Sequence, residues 1–205
     1  MIFTWVDFCE KYEDEIKAWC QDELSLRYAT NESDGIKEDY EYWRNEDGFI
    51  HNENCFCKVV LDGGQPVAVL IMLAGDGYPV NINPIIVNPA LRNKGYCTRI
   101  IRELLDNTQG ILGVERKYFE AGIDIENTAS IHAFEKAGFV LAGKYKSGDF
   151  AYWIYPASEL ENYRKYCIDS MGDDFIAVST LSLDSATKQR DCNSTGGLKG
   201  FGKGG

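Results

Sequence analysis

The sequence lacks any long apolar run: none of its hydrophobic stretches approaches the roughly 18 residues that a membrane-spanning helix needs. Residues 1–7 also lack the basic segment and the small-residue cleavage site of a secretory signal peptide. We therefore expect a cytoplasmic protein without a membrane partner. Its 205 residues, 44% of them hydrophobic, are enough to bury a full core.

Potential metal ligands of the zinc-binding kind are scarce. The chain has only two histidines, His51 and His132, and its seven cysteines form an odd set without the CxxC spacing of structural zinc sites. We expect reduced thiols and no metal. His132 is expected to be an ordinary surface or packed histidine rather than a general base.

Positive charge is also in short supply, because the formal net charge is -11. Residues 1–48 hold 14 acidic and 5 basic side chains, which supply −9 of that charge. Such a chain is a poor candidate for binding nucleic acid. The acidic segment has two interpretations: solvated helix faces, or a rim that attracts cationic amines.

One stretch runs against this trend. Residues 88–102 contain four basic side chains and no acidic one: Arg92, Lys94, Arg99 and Arg102. A β-branched run leads into a turn at Gly95, and apolar residues then recur at helical spacing, namely Cys97, Ile100, Ile101, Leu104 and Leu105. The free amides of the first helical turn, with the helix dipole behind them, favour a bound anion. The pattern predicts a phosphate-binding loop.

The residues of this loop resemble a known motif. Arg92-x-x-Gly95-x-Cys97, after Val87-x-Pro89, is similar to the acyl-CoA-binding pattern Gln/Arg-x-x-Gly-x-Gly/Ala of the GNAT superfamily of N-acetyltransferases, with Cys97 in place of the final small residue. Residues 124–139 resemble the later family signature Asn-x-x-Ser/Ala followed by Glu-Lys-x-Gly-Phe. Two motifs in family order point to the branch of ribosomal-protein-alanine and aminoglycoside acetyltransferases.

The resemblance implies an α/β fold in which a mixed, mostly antiparallel sheet of six to seven strands is splayed at its centre and flanked by helices. We expect this acyl-CoA N-acyltransferase domain over residues 1–155, a C-terminal extension with a helix and a further strand over 156–193, and a Gly-rich tail over 194–205. The tail motif Gly197-x-x-x-x-Gly202-Lys203 is not a P-loop, because Gly204 stands where Ser or Thr is needed.

Periodicity predicts the individual elements. The expected helices span residues 5–20, capped by Thr4-x-x-Asp7, a stretch around Ile36, Tyr40 and Trp43, residues 127–137 ending at Gly138, and residues 159–168. The expected strands span residues 55–61, 66–74, 80–87, 117–124, 139–145, 150–155 and 175–183. The first family strand is expected to be short or absent, and residues 24–33 to form a loop. Pro84 predicts a bulge in strand 80–87, and strand 117–124 should be parallel to it.

The resemblance also implies acetyl-CoA as co-substrate. The residues expected to bind it are Ile86, Val87, Arg92, Asn93, Lys94, Gly95, Tyr96, Cys97, Thr98, Asn127 and Phe134. Asn127 has an alternative interpretation as a helix N-cap.

Acetyl transfer to an amine needs a group that removes the amine proton, an oxyanion donor, and a proton for the departing thiolate. Strand 80–87 contains no carboxylate, so Glu120 and Asp124 are the candidate bases, with a structural or surface role as the alternative. A backbone N–H near Ile86 or Val87 would stabilise the oxyanion. Phe134 stands where the family often has Tyr, and the resemblance to the branch that modifies ribosomal-protein N-termini and related amines implies Ser130 as the acid. A thiol at a helix N-terminus, as at Cys97, has a lowered pKa in principle, but direct transfer fits the motif.

The sequence thus predicts an N-acetyltransferase acting on a primary amine, either of a polyamine-like or aminoglycoside-like cation or of a protein N-terminus. The alternative is a catalytically silent acyl-CoA sensor or interaction module. The subunit count is left open between a monomer and a homodimer.

Overall fold

One mixed sheet organises the computed structural model, which describes residues 3–29, 36–37, 41, 54–75, 77–146 and 148–178. Its strands are β1 Thr4–Asp7, β2 Cys55–Asp62, β3 Gln65–Leu73, β4 Val80–Val87, β5 Phe119–Asp124, β6 Val140–Tyr145, β7 Phe150–Tyr155 and β8 Phe175–Ala177. The α-helices described are α1 Glu10–Cys20, α2 Glu23–Tyr28, α3 Tyr96–Asp106, α4 Thr108–Leu112, α5 Thr128–Ala137 and α6 Leu160–Met171. Short 3-10 turns span Pro89–Leu91, Ala157–Glu159 and Gly172–Asp174.

The strands lie in the order β1-β2-β3-β4-β5-β7-β6-β8. Every described neighbouring pair is antiparallel except β4 and β5, which are parallel and are joined through α3 and α4. The mixed, mostly antiparallel fold expected from the sequence is therefore confirmed. Seven strands come from the expected core segment, and β8 of the C-terminal extension adds an eighth beside β6.

The N-terminal prediction was wrong in its details. Residues expected to begin the first helix instead form β1, in which Thr4 pairs with Leu61 and Asp7 with Lys58 of β2. Glu103 of α3 fixes this edge, since its carboxylate accepts hydrogen bonds from the Phe3 N–H and the Trp5 indole. The apolar residues between 5 and 8 fit the helical spacing of the residues after them only because β1 is followed almost directly by α1.

The expected loop over residues 24–33 contains α2. Asp22 caps this helix, because its side chain accepts hydrogen bonds from the N–H groups of Leu24 and Ser25. Ile36 and Lys37 are helical, as the predicted second helix requires, whereas Tyr40 and Trp43 lie outside the described residues.

Strand β4 carries the predicted bulge. Met72 of β3 pairs with Ile82, but Leu70 pairs with Ile85, so Asn83 and Pro84 together oppose Ile71. Proline has no N–H to donate to the ladder, and the bulge accommodates that loss.

The parallel pairing of β4 with β5 is short. Only Val80 with Phe119 and Asn81 with Glu120 are in register, after which the strands separate toward their carboxyl ends. The sheet is therefore splayed between β4 and β5, and the bulge at Pro84 lies within the separated part.

Apolar side chains cover the two faces of the sheet differently. On one face α3 and α5 pack over most of the sheet in a single cluster that includes Leu70, Ile100 and Trp153. The opposite face carries two separate clusters, one under α1 around Ile16 and one under α6 around Tyr163. We refer to these as the continuous face and the divided face.

The remaining elements agree with their predictions to within a few residues. Gly138 ends α5 in the left-handed conformation, with φ 107°. Helix α6 ends three residues later than predicted, and β8 ends at Ala177; residues 179–183 of the predicted strand lie outside the described residues. No helix in the described part of the chain is long and apolar enough to cross a membrane.

Candidate functional site

The loop between β4 and α3 has the backbone shape of an anion-binding turn. Asn93 and Gly95 adopt positive φ angles of 61° and 76°. A Cβ built on Gly95 would meet no atom within 4 Å, so the loop opens onto free space at this residue. Glycine tolerates this conformation without the steric cost that a side chain brings.

The first turn of α3 supplies donors. Its first intrahelical hydrogen bond runs from the Arg99 N–H to the Gly95 carbonyl, so the N–H groups of Tyr96, Cys97 and Thr98 precede the helical ladder. No side chain caps this helix, and its first turn holds no acidic residue. Free amides and the positive end of the helix dipole together suit a bound phosphate group.

Several side chains of this loop stabilise its shape. Lys94 Nζ donates to the Ala90 carbonyl over 3.0 Å, and the Tyr96 hydroxyl donates to Asp62 Oδ2 over 2.8 Å. The Arg99 guanidinium lies 4.3 Å from the centre of the Tyr96 ring. Thr98 Oγ1 donates to the Ala133 carbonyl over 3.2 Å, which joins α3 to α5. These contacts leave the backbone N–H groups of the first helical turn as donors, together with the remaining donors of Lys94 and Arg99.

The Cys97 thiol contradicts the expectation of a lowered pKa. Burial raises the pKa of Cys97 to about 12, so the group is a neutral thiol at physiological pH. The cause of this shift is desolvation of the thiolate.

Arg92 of the motif contacts the opposite side of the cleft. Its guanidinium donates to Asp22 and, over 2.8 Å, to Ser25 Oγ. The hydrogen bond from Arg92 is the main reason that the pKa of Asp22 lies below its ordinary value. The side chain predicted to bind the cofactor thus ties the loop after β4 to α2.

Helix α2 is also connected to the loop after β5, since Arg27 Nη2 lies 2.6 Å from Glu126 Oε2. The helix therefore has a contact on each side of the splayed strands. In an antiparallel pair only alternate residues exchange hydrogen bonds, so alternate N–H groups of β4 point toward the gap. Ile86 and Val87 belong to this part of β4, in register with Val69 and Ala68; the Ile86 side chain itself is buried under α1.

The two candidate bases, Glu120 and Asp124, lie on the divided face of β5, and their surroundings differ. Glu120 is half-buried: its Oε1 accepts from Asn81 Nδ2 over 2.9 Å and its Oε2 from the Tyr163 hydroxyl over 2.7 Å. Asp124 Oδ1 accepts from the Glu126 N–H over 2.8 Å, which closes the turn after the strand. This geometry matches the structural alternative for Asp124, and it places Glu120 between donors from β4 and α6.

Helix α5 contributes three of the predicted residues. Asn127 caps it by accepting the Ser130 N–H over 3.1 Å, as its alternative interpretation requires, while its amide nitrogen remains able to donate. Ser130 is half-buried in the first turn. Phe134 is 2% exposed and packs edge-on against Phe139, so the structure places it in the core. His132 is a surface residue whose side chain is 72% exposed.

Sequence reasoning missed the contribution of the C-terminal extension. The ring of Tyr163 reaches from α6 to Glu120, and it also lines a cavity of about 280 Å³ with Tyr78, Tyr118, Tyr155 and Tyr166. Tyr163, Cys167 and Ile168 recur at helical spacing in the sequence, but spacing alone does not identify the carboxylate that a tyrosine meets.

The chain resembles acetyltransferases by sequence profile and by fold. The model of the acetyltransferase (GNAT) family matches residues 14–139. The chain belongs to the GNAT acetyltransferase family. It is an N-acetyltransferase that uses acetyl-CoA to modify amines, and the uncapped amides of α3 fit the diphosphate of that co-substrate.

Solved structures are similar to this GNAT protein over a longer part of the chain than the family model matches. Aminoglycoside acetyltransferase AAC(6')-Ib in complex with coenzyme A and kanamycin superposes with a TM-score of 0.57 at 17% identity, over 80% of this chain and 99% of that one. Spermidine N-acetyltransferase from Vibrio cholerae in complex with CoA and spermine gives 0.61 at 19% identity, over 78% and 98%. Similarity at this level shows a shared fold. No curated protein sequence is significantly similar to the chain.

Proposed function

We propose that this GNAT enzyme transfers the acetyl group directly to the primary amine of a small cationic molecule. The observation that carries the proposal is the position of one half-buried carboxylate, Glu120, at the point where β4 and β5 separate. A protein N-terminus is the other acceptor class that an acidic rim can attract.

The cofactor site is proposed from the geometry of the loop after β4. The N–H groups of Tyr96, Cys97 and Thr98 would hold the diphosphate, and the positive φ of Asn93 and Gly95 shapes the turn that surrounds it. Acetyl-CoA supplies the thioester, the activated acyl group of the reaction. The alternate N–H groups of β4 that face the gap, near Ile86 and Val87, would stabilise negative charge on the thioester oxygen.

Glu120 is proposed to accept the proton of the attacking amine. An alkyl amine has an ordinary pKa of about 10.4 and is mostly protonated at neutral pH, so attack requires a nearby carboxylate or an ordered water. Glu120 is the carboxylate of β5 that no turn occupies, because the Asp124 carboxylate is engaged by the Glu126 N–H. Asp124 remains the second candidate base.

Ser130 is proposed to protonate the departing thiolate. Its hydroxyl lies in the first turn of α5, the helix that packs against α3, and α3 begins at the phosphate loop. Phe134, one turn later, has no proton to give. The amide nitrogen of Asn127 is proposed to donate to the pantetheine arm.

The acidic composition of the N-terminal segment supports a cationic acceptor. Residues 1–48 contribute −9 of the net charge, and among the described residues Glu23 begins α2, next to the Asp22 carboxylate that pairs with Arg92. Two proteins of similar fold were solved with kanamycin and with spermine, both polyamines, which supports the same acceptor class here.

The test is release of free CoA thiol from acetyl-CoA in the presence of single amines: spermidine, kanamycin, a peptide with a free N-terminal alanine, and an N-terminally blocked peptide as control. We expect turnover with at least one polycation and none with the blocked peptide. Tight cofactor binding without turnover on any amine would instead favour a catalytically silent acyl-CoA sensor.

A further inference from the structure

The C-terminal helix α6 lies outside the segment that matches the family, yet it contacts the candidate base. The family match ends at residue 139, whereas Tyr163 of α6 donates its hydroxyl proton to Glu120 Oε2 over 2.7 Å. A side chain of the extension therefore touches the group on which the proposed chemistry depends.

The position of Glu120 along β5 makes this contact consequential. Glu120 pairs with Asn81 in the last registered step before β4 and β5 diverge, so its carboxylate stands at the inner end of the gap. Asn81 Nδ2 and the Tyr163 hydroxyl each bind one carboxylate oxygen. Two donors on different elements fix the plane of the carboxylate, which a single donor would not.

Both partners are neutral. Within the described residues Glu120 forms no ion pair, so its negative charge is stabilised by hydrogen bonds and is not neutralised. A half-buried carboxylate of this kind can attract an ammonium group and then accept its proton, whereas a lysine or arginine partner would compete with the substrate.

Tyr163 is itself held firmly. Its residue is 8% exposed and packs with Ala142, Ile154 and Phe175. The adjacent Arg164 fastens α6 to the sheet by donating to the Ala142 carbonyl over 2.9 Å and to the Val178 carbonyl over 2.8 Å. Burial and the negative charge of Glu120 raise the pKa of Tyr163 above its ordinary value, so the phenol stays protonated and remains a donor.

We infer that Tyr163 is a positioning residue of the acetyltransferase: the extension completes the acceptor site by orienting the Glu120 carboxylate toward the amine. The inference rests on the proposed role of Glu120. Tyr163 does not touch the reacting atoms, and its effect passes through one hydrogen bond.

The experiment compares Tyr163→Phe with wild type and with Tyr166→Phe, which removes a half-exposed phenol from the same helix. The pH dependence of kcat/KM is measured with the best amine of the panel, and acetyl-CoA affinity by calorimetry. We expect Tyr163→Phe to lower kcat about tenfold, to shift the acidic limb of the profile to higher pH, and to leave cofactor affinity unchanged. The shift follows because the carboxylate loses a donor that stabilises its charged form.

The outcomes separate the two ideas. If the wild-type protein acetylates no amine of the panel, the proposed function itself is wrong. If wild type is active and Tyr163→Phe keeps the wild-type pH profile and kcat, the positioning role is wrong. A fall in thermal stability with an unchanged profile would assign Tyr163 to packing alone, and Tyr163→Leu, which also removes the ring contacts, then gives the size of that packing effect.

Discussion

The continuous face and the divided face of the sheet are built for different tasks. On the continuous face one cluster joins α3 and α5 to the sheet, and Leu91, Tyr96 and Cys97 of the loop after β4 and the start of α3 pack against it. On the divided face two clusters leave a polar strip along β5 that contains Glu120 and Asp124. Continuous packing fixes backbone amides in place, whereas a gap between clusters leaves side-chain carboxylates within reach of solvent and of an acceptor.

The largest expected effect belongs to the divided face. Glu120→Gln keeps the shape and one of the two acceptor oxygens but removes the base, so kcat/KM should fall about 10²–10⁴-fold, the usual contribution of a positioned general base. Thiol-release kinetics measure it. Asp124→Asn is the matched control: it keeps an oxygen for the Glu126 N–H and should cost much less. Equal losses for the two variants would remove the distinction between them.

The continuous face should respond in binding rather than in turnover. Gly95→Asp places a negative charge at the phosphate loop and forces a side chain into a conformation with φ 76°. We expect acetyl-CoA affinity, measured by calorimetry, to fall roughly a hundredfold, or about 2.7 kcal/mol. Gly64→Asp in the β2–β3 turn, where φ is 82°, carries the same backbone strain away from the loop. If Gly64→Asp weakens binding as much, general destabilisation explains both.

Ser130→Ala tests the helix α5 that covers the continuous face, with a smaller effect. Thiols have an ordinary pKa of about 8.5, so a thiolate departs with little help, and the loss of an acid should lower kcat only about tenfold. Cofactor affinity should be nearly unchanged. A fully active variant would remove Ser130 from the mechanism.

The smallest expected effect concerns the ion pair between Asp22 and Arg92, which connects α2 to the loop after β4. Asp22→Asn keeps an N-cap for α2 but removes the charge that meets Arg92, at a cost of about 0.2–1 kcal/mol at pH 7. Because Arg92 lowers the pKa of Asp22 below 3.8, this stabilisation is present at neutral pH and is lost as the pH falls through the lowered pKa. Urea unfolding of both proteins at pH 7 and near pH 3 measures the difference. If the difference in unfolding free energy between wild type and Asp22→Asn were larger near pH 3 than at pH 7, the assignment would be contradicted.

Much of the fold was predictable, because its strands carry strong local signals. Pro84 in an otherwise apolar strand predicted the bulge, and Gly138 predicted the end of α5. The N-terminal error has a physical cause: Trp5 is fixed by Glu103, which is 98 residues away, and local periodicity does not register such a bond. The same limit applies to the candidate site. The turn at Gly95 and the helix after it are contiguous in sequence and were predictable, but the donors to Glu120 come from β4 and α6, far apart along the chain.

The burial of Cys97 illustrates a competition between two local effects. The helix terminus favours the thiolate and was visible in the sequence, whereas the packing that desolvates the thiol depends on where α3 meets the core. The raised pKa keeps Cys97 a neutral thiol, which is a poor nucleophile and agrees with direct transfer.

Helix α2 has a consequence for substrate size. It spans Glu23–Tyr28, only six residues, and is fastened to the loop after β4 through Arg92 and to the loop after β5 through Glu126. In the proposed acceptor site, the length of this short helix would therefore set the width of the entrance. Successive residues of an α-helix are rotated by about 100° and advance by about 1.5 Å, so inserting or deleting one residue would turn one fastening side chain away from its partner. Changes in this segment alone would then alter the selectivity between bulky and slender amines. The residues proposed for catalysis would stay unchanged.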